Sequence, residues 1–515
     1  MKGFRTFIPP MLMLSVIGIA ETGCDQESAV TQTVSEDTDE IQIEMQAIAT
    51  LVDSNEYRNE VSFDEHVVLT YQAVKGRDPS AWELRIWNAI ERDLNIPRSA
   101  VPALALRGES IETDWSSYRQ FVKENKISMF KKTPLTEATV ARLSSVTDGE
   151  LMEQLKQEVA VNRSSTSEIE TKSFALSSAS NEAYNTYFGF LHAHTKYSDG
   201  KGTPSEAYAY ARDIAGLDFF AVTDHGEMLD WWPWETEWKT IKKAADSANR
   251  PGEFVALWGF EWSNPLLGHV NVINTQDFTD AISDFRLGTL YNWIADRPAA
   301  FARFNHPGDF NSLGSEFYHM KLYPQTVSQI VGMETWNGKN SFDQYYYDGG
   351  WESDYSYIDE GNRGGWRLGA LGAEDNHDKN WGTETSFATA VLATDLTRDA
   401  IVDAYTARRF YATEDRNLYL DLRCQGYPMG SQISTTDRTF EITGRDGSGD
   451  SFSEARLYRN GSLVRSIALS NNSFSTTVTD GYTGEAYYYV TVSQNDDTDG
   501  NGRNDEAISS PIWIR

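Results

Sequence analysis

Apolar residues along the chain change their period from one region to the next. From about residue 40 to 163 they recur at helical spacing, as in EIQIEMQAIATLV (40–52) and SAWELRIWNAIERDL (80–94), with Pro and Gly only at the breaks. That spacing predicts a small helical domain. Residues 164–183 are rich in Ser and Thr with little apolar period, which predicts a linker. From 184 to 415, strand-like runs alternate with helical stretches, the pattern of parallel strands joined by crossover helices. Beyond 415 the runs shorten and alternate apolar with polar, as in LYLDLRC, TFEITGR and SEARLYR. Asn460-Gly461 falls between two of them and predicts a tight hairpin turn. Residues 416–515 thus predict an immunoglobulin-like β-sandwich.

Chemistry enters at FGFLHAHTKYSDG (188–200), where an apolar run ends in two histidines one residue apart. On a strand, side chains at i and i+2 point to the same side, so His192 and His194 can hold one cation, with Asp199 following on a turn. Seven of the eight histidines lie between 192 and 377, and most sit where an apolar run meets a polar turn. FFAVTDH ends in Asp224 and His225, VALWGFEW carries Glu261, and GHVNVIN carries His269. FARFNHPGD carries His306, and LGALGAEDNH repeats the i, i+2 spacing with Asp375 and His377. Imidazole and carboxylate together suit zinc, manganese or iron, and more ligands than one tetrahedral shell needs imply more than one ion.

Taken in order, HAHTKYSDG, TDHGE, GFEW, GHVN, NHP and AEDNH resemble the motifs of the PHP (polymerase and histidinol phosphatase) superfamily, over roughly Tyr184 to Asp415. The resemblance is to secreted members with a β-rich tail. It implies a distorted (β/α)7 barrel, within a multidomain α/β chain, and two to three divalent transition-metal ions. His192, His194, Glu261 and Asp375 would hold the first ion; Glu261 would bridge to a second with His269 and His306; Asp199, His225 and His377 would hold the third. The activity implied is hydrolysis by hydroxide held between ions, most simply of a small phosphate ester. Carbamate, amide or carboxyl-ester hydrolysis is the alternative on the same site, and a surface binding protein with a structural metal cluster is the non-catalytic one. Glu261, Asp224 and His225 are the candidate catalytic residues. Asp224 either orients a ligand from behind or caps the following helix, and Glu334 and Asn305 pose the same choice. Lys196 and Arg303 are the nearest cations in sequence and either bind a phosphate or sit on a solvated surface. Ser198 reads as a turn residue, and the tryptophans of DWWPWETEW either cover the barrel or wall a pocket.

The 515 residues include 45 basic and 76 acidic ones, a net charge of −31 whose field repels polyanions, so nucleic acid is not the expected partner. The start of the chain, MKGFRTFIPPMLMLSVIGIAETGC, has Lys2 and Arg5, a short apolar core and small residues before Cys24. It reads as a signal peptide over 1–24, too short to span a membrane as a helix. Gly23-Cys24 and the polar tether 25–39 resemble a bacterial lipoprotein cleavage site, although Glu21 stands where an aliphatic residue is usual. Lipidation at Cys24 would anchor an extracytoplasmic protein by its lipid alone; ordinary cleavage would leave it periplasmic or secreted. Cys424 is the only other cysteine, which excludes a disulfide framework. His66 reads as an ordinary structural residue, and Asp497, Asp499 and Asn501 as an acidic turn, because Ile508 stands where a calcium loop needs its closing Glu.

Overall fold

The computed structural model describes residues 52–94, 134–147 and 183–515 apart from 230–235, 283–285, 310–315, 339–345, 347–349, 351–353 and 498–501, together with residues 98, 101, 105 and 150. Cys24, the tether, almost all of the linker and Trp231, Trp232 and Trp234 lie outside the described residues. The chain forms two compact units, the first made chiefly of residues up to Leu155.

The first unit contains α1 (Asn55–Glu60), α2 (Phe63–Val74), α3 (Ala81–Leu94) and α4 (Pro134–Ser144). The turn between α1 and α2 is set by a capping box: Glu65 N donates to Ser62 Oγ at 3.2 Å and Ser62 N to Glu65 Oε2 at 2.7 Å. Behind the cap, Val67, Tyr71, Ile86 and Trp87 are buried, and the Trp87 indole N–H donates to Tyr71 Oη at 3.0 Å. His66 is fully buried; its Nε2–H donates to the Arg98 carbonyl at 2.9 Å, leaving Nδ1 to accept from Tyr57 Oη at 3.0 Å.

The second unit is mixed α/β around one large curled sheet. Its first part runs β1 (Asn185–Phe190), α5 (Pro204–Asp213), β2 (Phe219–Val222), α6 (Thr236–Ala248), β3 (Val255–Asn264), β4 (Gly268–Ile273), α7 (Leu287–Ala295), β5 (Phe301–Phe304) and β6 (Ile330–Asn337). It continues with α8 (Tyr357–Arg363), β7 (Gly369–Ala373), β8 (Ala388–Ala393), α9 (Arg398–Thr406) and β9 (Phe410–Thr413). β1 to β7 lie side by side in chain order, and an isolated bridge between Ala193 and Asn376 brings the end of β7 back to the end of β1. The return is close: a Cβ on Gly372 would sit 2.5 Å from the Ala388 carbonyl oxygen, so only glycine fits there.

The expected run of parallel strands is interrupted. β1–β2, β2–β3, β5–β6 and β6–β7 are parallel, but β4 is antiparallel to both β3 and β5. The cause is local: Pro265, Leu266 and Leu267 turn the chain straight back with no helix between β3 and β4. Gly268, at φ +87°, opens β4 where a Cβ would strike the Phe317 ring at 2.5 Å.

Leu191, Phe219, Val255, Leu257, Ile273, Phe301, Val331 and Leu371 form one apolar cluster on the same face of the curl, closed by Ile401, Ala404 and Tyr405 of α9. The opposite face of β1, β8 and β9 supplies Phe188, Leu392 and Tyr411 to a second core. Leu418, Leu420, Leu422, Phe440, Phe452 and Val490 of the C-terminal strands fill it. Those strands form a four-stranded sheet on one side, containing Leu418–Cys424, Thr439–Asp446 and Ser473–Thr479. On the other side they continue the curled sheet, because Glu506–Ser509 pairs antiparallel with β9. A β-ladder therefore crosses the boundary expected after Asp415. The Asn460-Gly461 hairpin forms as its sequence implies, with φ of 50° and 77° between Phe452–Arg459 and Ser462–Ala468. Cys424 is buried in this core, where burial pushes its thiol up to about 12. Among the described residues no helix is long and apolar enough to cross a membrane.

Candidate metal centre

Strand period 2 carries the inner face of the curl from apolar to ionisable side chains. Beyond Val255 and Leu257 the same face of β3 presents Gly259 and then Glu261; beyond Phe301, β5 presents Arg303; beyond Leu371, the chain after β7 presents Asp375. On β4 the order runs backwards, so His269 stands near the strand's first residue, not at a carboxyl end as expected for every ligand. His306 and Asp375 sit on left-handed backbone, at φ 23° and 50°, a strained geometry for side chains of this size.

All nine residues expected as ligands converge, in four overlapping groups whose donor atoms lie within 4.8 Å of one another. The groups are His192, His194 and Asp375; His192, Glu261 and His306; His225, Glu261 and His269; and His194, Asp199, His225 and His377. Glu261 is central, with imidazole nitrogens of His225, His192, His269, His194 and His306 at 2.9, 3.1, 3.3, 3.4 and 3.4 Å. Asp375 Oδ1 lies 3.0 Å from His192 Nε2 and 3.1 Å from His194 Nε2. At the rim, Asp199 Oδ1 is 3.2 Å from His377 Nε2 and 3.5 Å from His225 Nε2. The floor is closed and the rim open: the His192, His194 and His306 side chains are at most 1% exposed, against 44% for Asp199 and 29% for His377.

The first and last motifs are tied directly. His194 N donates to the Asn376 carbonyl at 2.9 Å, Lys201 N to the His377 carbonyl at 2.9 Å, and the Trp381 indole to the His194 carbonyl at 2.9 Å. Behind them Glu374, raised to about 7 by burial, accepts from Gly382 N and Thr385 N and pairs with Arg416, which holds the loop bearing Asp375 and His377.

Imidazole tautomers follow from what stands behind each ring. Glu334 Oε1 lies 2.8 Å from His192 Nδ1, which must therefore carry the proton and leave Nε2 with its lone pair. Ser198 gives its only hydroxyl proton to Asp224 Oδ1 at 2.6 Å, so at 3.0 Å it accepts from His194 Nδ1–H, and His194 Nε2 also keeps its lone pair. The two Nε2 atoms are 3.4 Å apart and share Asp375 Oδ1, a set of electron pairs that repel unless a proton or cation lies among them. A divalent ion fits that donor set. Burial alone would raise the Glu261 carboxyl, but the imidazoles of His192, His269 and His225 hold it well below the usual carboxylate range. Burial likewise opposes charge on His192, and Asp375 with Glu261 outweigh it and hold that ring above its ordinary value. His269 goes the other way, pushed down to about 3 because burial outweighs Glu261.

Asp224 stands one layer out. It accepts from Thr195 N, Thr195 Oγ1 and Ser198 Oγ, all at 2.6 Å, and anchors the loop that carries His194. Arg303 is fully buried, pairs with Glu334 and donates to Asn305 Oδ1, so the solvated role expected as one alternative for it does not fit its position. Asn305 in turn donates to Glu261 Oε1 at 2.7 Å. Lys196 is exposed, its ammonium 5.7 Å from the Tyr197 ring centre. The turn reading of Ser198 missed its contact with His194, and Ser263, 2.5 Å from His225 Nδ1, was not singled out at all. For Ser198 the available signal was its position four residues after His194, on the turn that folds back over the ring.

No family model matches the chain. An uncharacterized protein of Chlamydia pneumoniae is 24% identical over 377 residues, 64% of this chain and 58% of that one, and one of Chlamydia muridarum is 24% identical over 374 residues. The chain thus spans little more than half the length of these relatives. Among solved structures, a two-domain protein containing a predicted PHP-like metal-dependent phosphoesterase from Bacteroides vulgatus is similar over 65% of this chain and 99% of that one, at 16% identity and a TM-score of 0.34. The lesion-specific endonuclease Q of Pyrococcus furiosus is similar over 43% of this chain and 56% of that one, at 15% identity and a TM-score of 0.28. These comparisons lend no support to excluding nucleic acid as a partner.

Proposed function

We propose that this chain is a metal-dependent hydrolase of the PHP superfamily, a distorted seven-stranded barrel acting on a phosphate ester. The observation that carries the reading is the convergence of His192, His194, Asp199, His225, Glu261, His269, His306, Asp375 and His377 around one carboxylate. These residues would hold two or three ions of zinc, manganese or iron. Such ions, when bound, polarise a phosphoryl oxygen and lower the pKa of water. The chain's own part is to fix the donors: Glu261 spaces the histidines, while Glu334 and the Asp224–Ser198 pair hold two imidazoles with Nε2 facing inward. The closed floor excludes bulk water, and Asp199 and His377 mark the side from which a substrate enters.

Arg303 is buried and pairs with Glu334 through one of its nitrogens, and acyl esters and carbamates form the competing substrate class. A panel of phosphomonoesters, phosphodiesters, single-stranded and duplex DNA and acyl esters, assayed with added manganese or zinc, tests the proposal. Turnover of a phosphoester, inhibited by millimolar phosphate or vanadate, is expected. Efficient acyl-ester turnover untouched by either oxyanion would replace the phosphoesterase with an acyl hydrolase. The same proposal places the enzyme outside the cytoplasm, held by a lipid on Cys24, so Cys24→Ser is expected to leave the membrane fraction. Unchanged fractionation would overturn the anchor.

A further inference from the structure

A second group of ionisable side chains lies where the chain leaves β9, and it does not depend on any reading of the histidine centre. Asp415, Asp446 and Asp450 each bring one carboxylate oxygen to within 4.8 Å of the others. Asp415 follows β9, Asp446 ends the strand Thr439–Asp446, and Asp450 lies in the turn before Phe452–Arg459. Among the described residues no lysine or arginine pairs with any of the three.

Part of this group satisfies itself as an ordinary acidic turn does. Asp446 Oδ1 accepts from the backbone N–H of Ser448, Gly449 and Asp450 at 2.8, 2.6 and 2.8 Å, and Asp415 Oδ1 accepts from Asn417 N at 3.0 Å. Asp450 Oδ2 accepts from Ser448 Oγ and Asp446 Oδ2 from Gln494, which leaves one buried carboxylate oxygen of the group without a donor. Asp415 is 3% exposed and abuts the Asp446 carboxylate, and its Oδ2 meets no donor. Gln494 is fully buried beside Asp446; its Nε2 donates to Asp446 Oδ2 at 2.8 Å while its Oε1 meets no donor. A buried carboxylate oxygen set against a second carboxylate is uncompensated until a cation or proton joins it.

We infer that Asp415, Asp446 and Asp450, with the buried Gln494 amide beside them, form a calcium site separate from the histidine centre. The donors are all oxygen, which suits a hard cation, and the absence of imidazole and thiolate gives zinc or copper no advantage there. Calcium is favoured over magnesium because it accepts irregular oxygen shells, whereas magnesium demands an octahedron and retains its waters. The ion would join the end of β9 to the 446–450 turn, and so fasten the C-terminal strands to the sheet that carries the metal centre.

The test is calorimetric titration of calcium, with magnesium as comparator, into the full chain purified with its transition metals in place, followed by thermal melts in both states. Binding of one calcium per chain with a Kd of about 10⁻⁴ M or tighter is expected, with magnesium weaker. The melting temperature should rise by about 2 °C or more at saturation. Asp450→Asn, which removes the most exposed of the three carboxylates, should weaken calcium binding about ten-fold or more. Asp415→Asn should abolish binding yet melt no lower than wild type in calcium-free buffer, since it relieves a repulsion; a merely structural aspartate would not behave so. His306→Ala should bind calcium unchanged. No binding up to about 10 mM calcium, or affinity unchanged in Asp450→Asn, would overturn the site, as would loss of calcium binding in His306→Ala. Should Asp415→Asn fail to fold, the Asp450→Asn affinity decides alone.

Discussion

Ser198 reaches the metal centre only through its neighbours, yet its hydroxyl decides which nitrogen of His194 faces inward. Ser198→Ala removes the acceptor for His194 Nδ1–H and a donor to Asp224, with no charge changed at the site. Metal affinity is expected to fall about 10- to 100-fold, read by competition with a chromogenic chelator, with little change in the circular dichroism spectrum. Glu261 and Asp199 differ in the number of partners they serve. Glu261 touches five imidazoles and Asp199 sits at the half-open rim, so Glu261→Gln should cost more activity and more bound metal than Asp199→Asn. Equal losses at equal stability, by elemental analysis and initial rates, would contradict the central place of Glu261. At this scale the pairing of His192 with His194 and of Asp375 with His377 could be read from the sequence, because i, i+2 side chains at the end of an apolar run fall on one side of the chain. Ser198 and Arg303 could not, since the direction of a turn residue or the burial of a cation depends on residues far away in the chain: Asp224 in one case, Glu334 in the other.

Strands and helices show a similar division. Apolar period located β1, β2, β3 and β5 to β8, and the Asn-Gly pair located a hairpin; strand direction was not visible in period at all. β4 runs backwards because three residues are too few for a crossover helix, and His269 therefore reaches the centre from the opposite strand end. In the helical unit, His66 was read as structural and is. Burial pushes its pKa down from 6.5 to about 4, so the unfolded chain binds a proton over that interval which the folded chain refuses. Its contribution to stability is complete above about 6.5 and is lost as pH falls towards 4, at most on the order of 3 kcal/mol. Melting of the full chain followed by Trp fluorescence should show the first unit weakening over that window. His66→Gln should flatten this dependence, at some cost to stability at pH 7 from the altered contact with Tyr57; an unaltered pH slope would show that another group titrates.

Over the whole molecule, the composition change near residue 416 was legible, and the physical continuity across it was not. Alternating short runs describe a sandwich equally well whether its core is private or shared. Here Phe188, Leu392 and Tyr411 from one side of Asp415 pack with Leu420, Phe440 and Val490 from the other, and Glu506–Ser509 extends the sheet through β9. A chain ended after Asp415 would expose that apolar face and leave β9 with an open edge. It is expected to be insoluble or to lose bound metal, whereas ending it there would be harmless if the boundary were a true linker; expression of residues 164–415 with metal analysis distinguishes the two.

The same shared sheet has a consequence for when the protein can take up its ions. During synthesis, the chain has offered every metal donor once His377 has emerged, but β9 gains its second neighbour only after residue 509 has been made. The sheet behind the candidate centre is therefore complete only once Glu506–Ser509 has paired with β9.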